Sequence, residues 1–171
     1  MPEMDFLGPE KKVTKELTYN HEEFYNYLKS WFGDRHYAVV EKDYSERVSA
    51  TGKRVYNFNW WIEKRIEPLT KIVMELQYNA ETEETQVKLE DGSVQQAQKG
   101  PVTIGIRAFI YRDSERDWRL RDKMPQVRLI RDILDKTMKR PRMLKYEEQL
   151  KNDMNLVFSD IKTYLKTHKY D

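Results

Sequence analysis

The stretch Arg54-Val55-Tyr56-Asn57-Phe58-Asn59-Trp60-Trp61-Ile62-Glu63 decides the fold. Tyr56, Phe58, Trp60 and Ile62 fall on one side of an extended chain and Asn57, Asn59, Trp61 and Glu63 on the other, a period of two that reads as a half-buried β-strand. Beyond Glu67-Pro68 the pattern returns, with Ile72, Met74, Leu76 and Tyr78 set against Lys71, Val73, Glu75 and Gln77. A sheet built this way has one dry face and one largely wet face, which antiparallel sheets allow and fully covered parallel sheets do not. The dry face needs a cover.

Working outward, turn chemistry at Ser49-Ala50-Thr51-Gly52, Glu67-Pro68, Ala80 to Glu83, Asp91-Gly92 and Gly100-Pro101 divides residues 36–112 into five strands, most of them joined as antiparallel hairpins. One short strand carries Val87 and Leu89, and the last carries Val102, Ile104, Ile106, Ala108 and Ile110. Upstream, Val13, Leu17 and Tyr19 alternate with Lys12, Thr14, Glu16 and Thr18, predicting a sixth strand. A helix follows directly: Asn20 and Glu23 have capping-box spacing, and Phe24, Tyr27, Leu28, Trp31 and Phe32 form an apolar stripe before Gly33.

The cover is predicted downstream. Asp122 to Met138 reads as a helix with Pro125 in its first turn and Val127, Ile130, Ile133, Leu134 and Met138 facing inward. Arg140-Pro141 predicts a break, because the residue before a proline is disfavoured in helical geometry. A second helix from about Met143 to Thr167 bears Tyr146, Leu150, Met154, Val157, Ile161 and Leu165 at steps of three and four. The expectation is one α+β domain over residues 11–171: a curved antiparallel sheet of about six strands, one helix after the first strand and two C-terminal helices packed on the sheet. Residues 1–10 lack the basic and apolar regions of a signal peptide and are expected to form a flexible tail.

Composition narrows the function classes. With 171 residues and 21 aromatics, the chain has material for an independent core despite 35% charged residues. It contains no cysteine, which removes disulfides, thiolate metal sites and thiol nucleophiles together and fits a cytoplasmic setting. No run of about 18 apolar residues is present, so no transmembrane helix is expected.

The order strand, helix, about five strands and long C-terminal helix resembles the helix-grip architecture of the START and polyketide-cyclase-like proteins, in which a curved antiparallel sheet wraps a long helix. The likeness is one of topology and spans most of residues 11–167. This chain departs from it in having one helix after the first strand and two helical segments at its end. The resemblance implies a cavity between sheet and helix that takes an apolar or amphipathic ligand. The strings Asp117-Trp118, Ile130-Arg131-Asp132-Ile133-Leu134-Asp135-Lys136 and Tyr146-Glu147-Glu148-Gln149-Leu150 are also similar to a set of uncharacterised archaeal proteins of this size, a likeness that implies no activity.

On this reading a ligand carrier or sensor would hold its ligand between Tyr56, Phe58, Trp60, Met74, Leu76, Ile104, Ile106 and Ala108 on the sheet and Ile130, Ile133 and Leu134 on the helix, driven by desolvation of the ligand body. The same alternation also fits a solid core. Material for catalysis is thin. His21 lies in the first helical turn, His36 opens a strand and His168 sits in the terminal tail, so each reads as an ordinary surface or cap-proximal residue. No metal-ligand spacing occurs, and the adjacent pairs Glu22-Glu23 and Glu83-Glu84 diverge. Ala50-Thr51-Gly52-Lys53 lacks the first glycine of a phosphate loop and reads as a hairpin turn. Neither cofactor nor metal is implied, and the reading leans toward binding rather than an enzyme. Glu41 shares its alternation face with Tyr37 and Val39 and is a candidate buried polar group in a pocket, whereas Glu75 falls on the wet face with Lys71 and Gln77.

The competing reading is a protein or nucleic-acid interaction module. Residues 116–145 hold eleven Lys/Arg and four Asp, net +7, leaving 20 basic and 25 acidic residues elsewhere, net −5. Arg128–Asp132, Arg131–Asp135, Asp132–Lys136 and Asp135–Lys139 stand at i,i+4 and can pair within a helix. Arg116, Arg119, Arg121, Lys139, Arg140 and Arg142 remain as the candidate polyanion contacts. Trp61, on the wet face, is expected either beneath the first helix or open to a protein partner.

Overall fold

A computed structural model describes the backbone of residues 3–112, 125–168 and 170, and the side chains of these except residue 3 and residues 125–140. The elements in chain order are β1 (Glu3–Phe6), β2 (Lys11–Tyr19), α1 (His21–Asp34), β3 (Ala38–Val48), β4 (Arg54–Glu67), β5 (Thr70–Lys88), β6 (Val94–Arg112) and α2 (Pro125–Thr167). All strand pairings are antiparallel, in the order β1-β6-β5-β4-β3, with β2 also paired to β6. The α+β class and the one-sided sheet are therefore as the alternation predicts.

The dry face is contiguous. Tyr56, Phe58, Trp60 and Ile62 of β4 lie beside Ile72, Met74, Leu76 and Tyr78 of β5 and Val102, Ile104, Ile106, Ala108 and Ile110 of β6, and all are buried. Phe24, Leu28, Trp31 and Phe32 of α1 and Leu150, Met154, Val157, Ile161 and Leu165 of α2 complete the same core. Each such side chain removed from water contributes about 1.5–3 kcal/mol, so the cover is held mainly by desolvation. Two polar fasteners fix its angle: Trp31 Nε1 donates to Asp160 Oδ2 at 2.7 Å and Tyr37 Oη to Asp153 Oδ2 at 2.5 Å.

Four expectations change. The tail of residues 1–10 contains β1, which pairs residue for residue with Phe109–Arg112, and Leu7 is buried with its N–H donating to the Ala108 carbonyl. Backbone pairing to an available sheet edge orders this segment, together with Leu7 in the core and Phe6 against Phe109. Second, the breaks expected at Ala80–Glu83 and Gly100-Pro101 lie inside β5 and β6. Ala80 faces Val102 and Glu83 faces Lys99, so the register is unchanged across the lapse and residues 84–88 continue β5 rather than forming a separate strand. Gly100, at φ 158°, makes this possible, since a Cβ there would lie 2.2 Å from the Glu81 carbonyl oxygen.

Third, Pro141 does not divide the C-terminal helix: α2 runs through it, replacing the two expected helices by one. An interior proline forfeits one backbone hydrogen bond and crowds the carbonyl a turn back. Pro141 itself is exposed. The expected inward residues Val127, Ile130, Ile133, Leu134 and Met138 sit on helical backbone, but their side chains lie outside the described residues.

Fourth, α1 passes Gly33 and ends at Asp34. Tyr37 N–H donates to the Phe32 carbonyl and His36 N–H to that of Gly33, a Schellman arrangement with His36 at φ 62° where glycine is usual. His36 thus closes a helix rather than opening a strand.

Two measurements test these backbone assignments. Gly100→Ala is expected to destabilise the fold by about 2 kcal/mol through overpacking, lowering Tm by ~4–8 °C. His36→Gly is expected to raise stability by ~1 kcal/mol by relieving the left-handed conformation. Thermal and urea unfolding of both variants check the opposite signs.

Candidate functional site

The residues expected to hold a ligand divide between core and cleft. Trp60, Met74, Leu76, Ile104 and Ile106 are all 0% exposed, and Phe58 and Ala108 are buried beside them. Phe58 stacks on Tyr78 at 4.5 Å and 8° and leans on Trp60 at 4.8 Å, so its ring faces are occupied by other core rings. Tyr56 alone of the eight sheet residues reaches a cleft of about 530 Å³ at one end of the sheet. That cleft is lined by Asn20, His21, Glu22 and Tyr25 of the α1 start, Glu41, Tyr44 and Glu46 of β3, Arg54 and Tyr56 of β4, and Gln96 and Gln98 of β6.

Three local features build it. Asn20 caps α1, its Oδ1 accepting from Glu23 N–H at 3.0 Å, while Glu23 turns aside to accept from Gln95 Nε2 instead of closing the capping box. The β5–β6 hairpin comes alongside, and Gln98 Oε1 accepts from the His21 N–H at 2.8 Å. On β3, the register shifts between Glu41 and Asp43: Glu41 faces Trp60, then Tyr44 faces Phe58 and Glu46 faces Tyr56. This bulge changes the parity of the strand, so Glu41, Tyr44 and Glu46 share the inner side although strict alternation would send Tyr44 and Glu46 outward.

Glu41, the candidate buried polar group, is exposed at the cleft wall. Its position on an edge strand, with the bulge beside it, leaves the carboxylate open to solvent. Glu41 Oε2 accepts from Tyr25 Oη at 2.5 Å and from Trp60 Nε1 at 3.1 Å, satisfying the one polar atom of the buried tryptophan. Burial and the Glu41 carboxylate push the Tyr25 hydroxyl up to about 12. Arg54 is held at 2.7 Å from Glu46 and 3.1 Å from Glu84.

His21 forms the floor. It is only 7% exposed, stacks on Tyr56 at 3.9 Å and 21°, and its Nδ1 lies 3.0 Å from Tyr78 Oη, which in turn bonds Tyr19 Oη. Its Nε2 is buried without a hydrogen-bond partner. Burial lowers its pKa from 6.5 to about 4 and raises those of Tyr19 and Tyr78, so all three groups are neutral near pH 7. Local sequence alone gives His21 an ordinary surface or cap-proximal position. Its burial comes from the β5–β6 hairpin closing over the start of α1, a contact between residues 77 apart that no local pattern announces.

The remaining candidates fall elsewhere. Trp61 lies on the sheet face opposite α1, so it is not beneath that helix. It packs edge-on against Phe109 at 5.1 Å, donates to Glu63 Oε2 at 3.0 Å and carries Lys42 over its ring. Arg116, Arg119 and Arg121 lie outside the described residues, as do the side chains of Ile130, Leu134, Lys139 and Arg140; Arg142 is exposed on α2. Among the described residues no three His, Asp or Glu side chains are grouped to hold a metal ion, and no helix is long and apolar enough to cross a membrane.

The buried imidazole carries a pH signature. Its folded pKa of about 4 lies below the ordinary 6.5, so between those values the unfolded chain binds a proton that the folded chain refuses. Stability contributed by neutral His21 is complete above pH 6.5 and is lost as pH falls through that window, at a limiting slope of about 1.4 kcal/mol per pH unit. Urea unfolding of the wild type and of His21→Phe at about pH 5 and about pH 7 should show a steeper acid loss in the wild type, and equal losses would refute the assignment. No protein-family model and no curated protein sequence matches the chain.

Proposed function

We propose that this protein binds a small molecule in the cleft between the start of α1 and strands β3, β4 and β6, as a carrier or sensor rather than a catalyst. The observation that carries the reading is the cleft itself, about 530 Å³, walled by Tyr25, Tyr44 and Tyr56 between the start of α1 and the sheet. The volume of about 530 Å³ falls within the range of small-molecule sites, and Tyr25, Tyr44 and Tyr56 offer aromatic surface among a larger set of polar and charged groups. The topological resemblance to helix-grip proteins supports the same class of function, with the ligand at one end of the sheet–helix space rather than amid the apolar core.

Chemistry favours binding over turnover. A general base works best with a pKa near the operating pH, and the His21 imidazole, held at about 4, is far below it.

Gentle purification followed by native mass spectrometry, and a thermal-shift screen of ring-containing metabolites, test the proposal. A ligand at about 100 times its Kd should stabilise the protein by ~2.7 kcal/mol. Gln96 is exposed on the cleft wall, so Gln96→Trp should fill the cleft without disturbing the core and abolish the shift. Shifts that persist unchanged in Gln96→Trp would place binding elsewhere and overturn the reading.

A further inference from the structure

We infer that the protein self-associates as a twofold dimer, in which β3 pairs antiparallel with β3 of a second copy, centred on Ser45 and confined to residues 43–48, so that the two sheets join into one. The two edges of the sheet differ in what they offer. On β2, Lys11 and Lys15 fall on the helix-covered side, opposite Ile106 and Val102, and Tyr170 N–H takes the Thr18 carbonyl, so that edge carries inward-pointing charge and is partly covered. β3 presents free main chain. Ser49 N–H is spent on the Lys53 carbonyl, and successive residues of an antiparallel strand turn their main-chain groups to alternate sides. Asp43, Ser45 and Arg47 therefore bond β4, while Tyr44, Glu46 and Val48 direct their N–H and C=O to the side where, among the described residues, no strand lies. Val40, Tyr44 and Val48, three of the large apolar residues that stay exposed, all lie on this one strand.

Charge selects both the occupant and the register. Residues directly opposite in an antiparallel pair share a face, so a twofold axis at this edge passes through a residue. Lys42 is the extra residue of the bulge, which leaves Glu41, Tyr44, Glu46 and Val48 on the helix-covered side and Asp43, Ser45 and Arg47 on the other. An axis through Asp43, Glu46 or Arg47 sets that charge against its own copy, and an axis through Tyr44 sets Glu41 against Glu46. Only through Ser45 do no like charges meet. Asp43 then lies opposite Arg47 on both sides of the axis, and Tyr44 and Glu46 exchange main-chain hydrogen bonds with Glu46 and Tyr44 of the second copy. Each Tyr44 ring is diagonal to Val48 and Tyr44 of that copy, within reach of an aromatic side chain. Lys42 is turned back over Trp61 of its own sheet, clear of the seam. The strand is thus its own charge complement, which favours a second copy over an unrelated strand. The bulge ends the ladder on one side and the Ser49 turn on the other, so the pair closes on itself and does not propagate.

Sedimentation equilibrium of the full chain over a concentration series tests the dimer. The wild type should rise from the monomer mass toward twice that mass. Arg47→Asp sets aspartate against Asp43 on both sides of the axis, and Asp43→Arg sets arginine against Arg47, so each variant alone should dimerise at least about tenfold more weakly. Both side chains are exposed, so the fold should hold, and far-UV circular dichroism checks it. An equimolar mixture of the two variants brings opposite charges together at both positions of the heterodimer and should recover the wild-type association. A wild type that stays monomeric up to ~1 mM, a dimer that neither variant weakens, or a mixture of the folded variants that stays monomeric overturns the inference. None of these results bears on ligand binding in the cleft.

Discussion

The fold depends on one constraint: the inner face of β4, β5 and β6 cannot face water. Thirteen buried side chains on that face, from Tyr56 to Ile110, form a continuous apolar surface that two helices are needed to cover. Most other features serve that closure. Asn20 starts α1 at the point where β2 ends, the His36 turn returns the chain to the opposite sheet edge, and α2 lies along the remainder with Asp153 and Asp160 tied to Tyr37 and Trp31. Even the last described residue takes part, Tyr170 donating its N–H to the Thr18 carbonyl of β2.

The cleft lies where the cover meets the sheet edge. At the β3 side the buried rings of Phe58 and Trp60 give way to Tyr25 and Tyr44, whose apolar bodies continue the core while the Tyr25 hydroxyl donates to the Glu41 carboxylate. Trp60 and Glu41 mark the boundary, since the indole is wholly buried and its N–H ends on an exposed carboxylate. The site thus combines rigidity from the core with access from outside.

The legible parts of this architecture are those written in local period. Alternation located β4, the first half of β5 and the last part of β6, and the Asn20 cap and its apolar stripe located α1. What was not legible depends on partners distant in sequence. β1 looks like a polar tail because its partners, the β6 main chain and the Phe109 ring, are distant in sequence. Gly100-Pro101 and Pro141 carry strong local breaking signals that tertiary context overrides, in one case because a glycine permits close strand approach and in the other because the helix end that follows is locked to the core. Of the cleft, Tyr56 and Glu41 were found by alternation. Tyr44 and Glu46 were hidden by the bulge, and His21 by a contact with β6.

That bulge has a second effect, on the behaviour of the molecules toward one another. Among the described residues β3 pairs on one side only, with β4, which leaves eleven residues of open strand edge. Such an edge is a template for another chain, and Val40 and Val48 are exposed along it. The register shift at Glu41/Asp43 interrupts the template near its middle, and Glu41, Lys42, Asp43, Glu46 and Arg47 place charge along it. The irregularity that brings Tyr44 and Glu46 to the cleft therefore also interrupts the strand edge that another chain would need for continuous pairing.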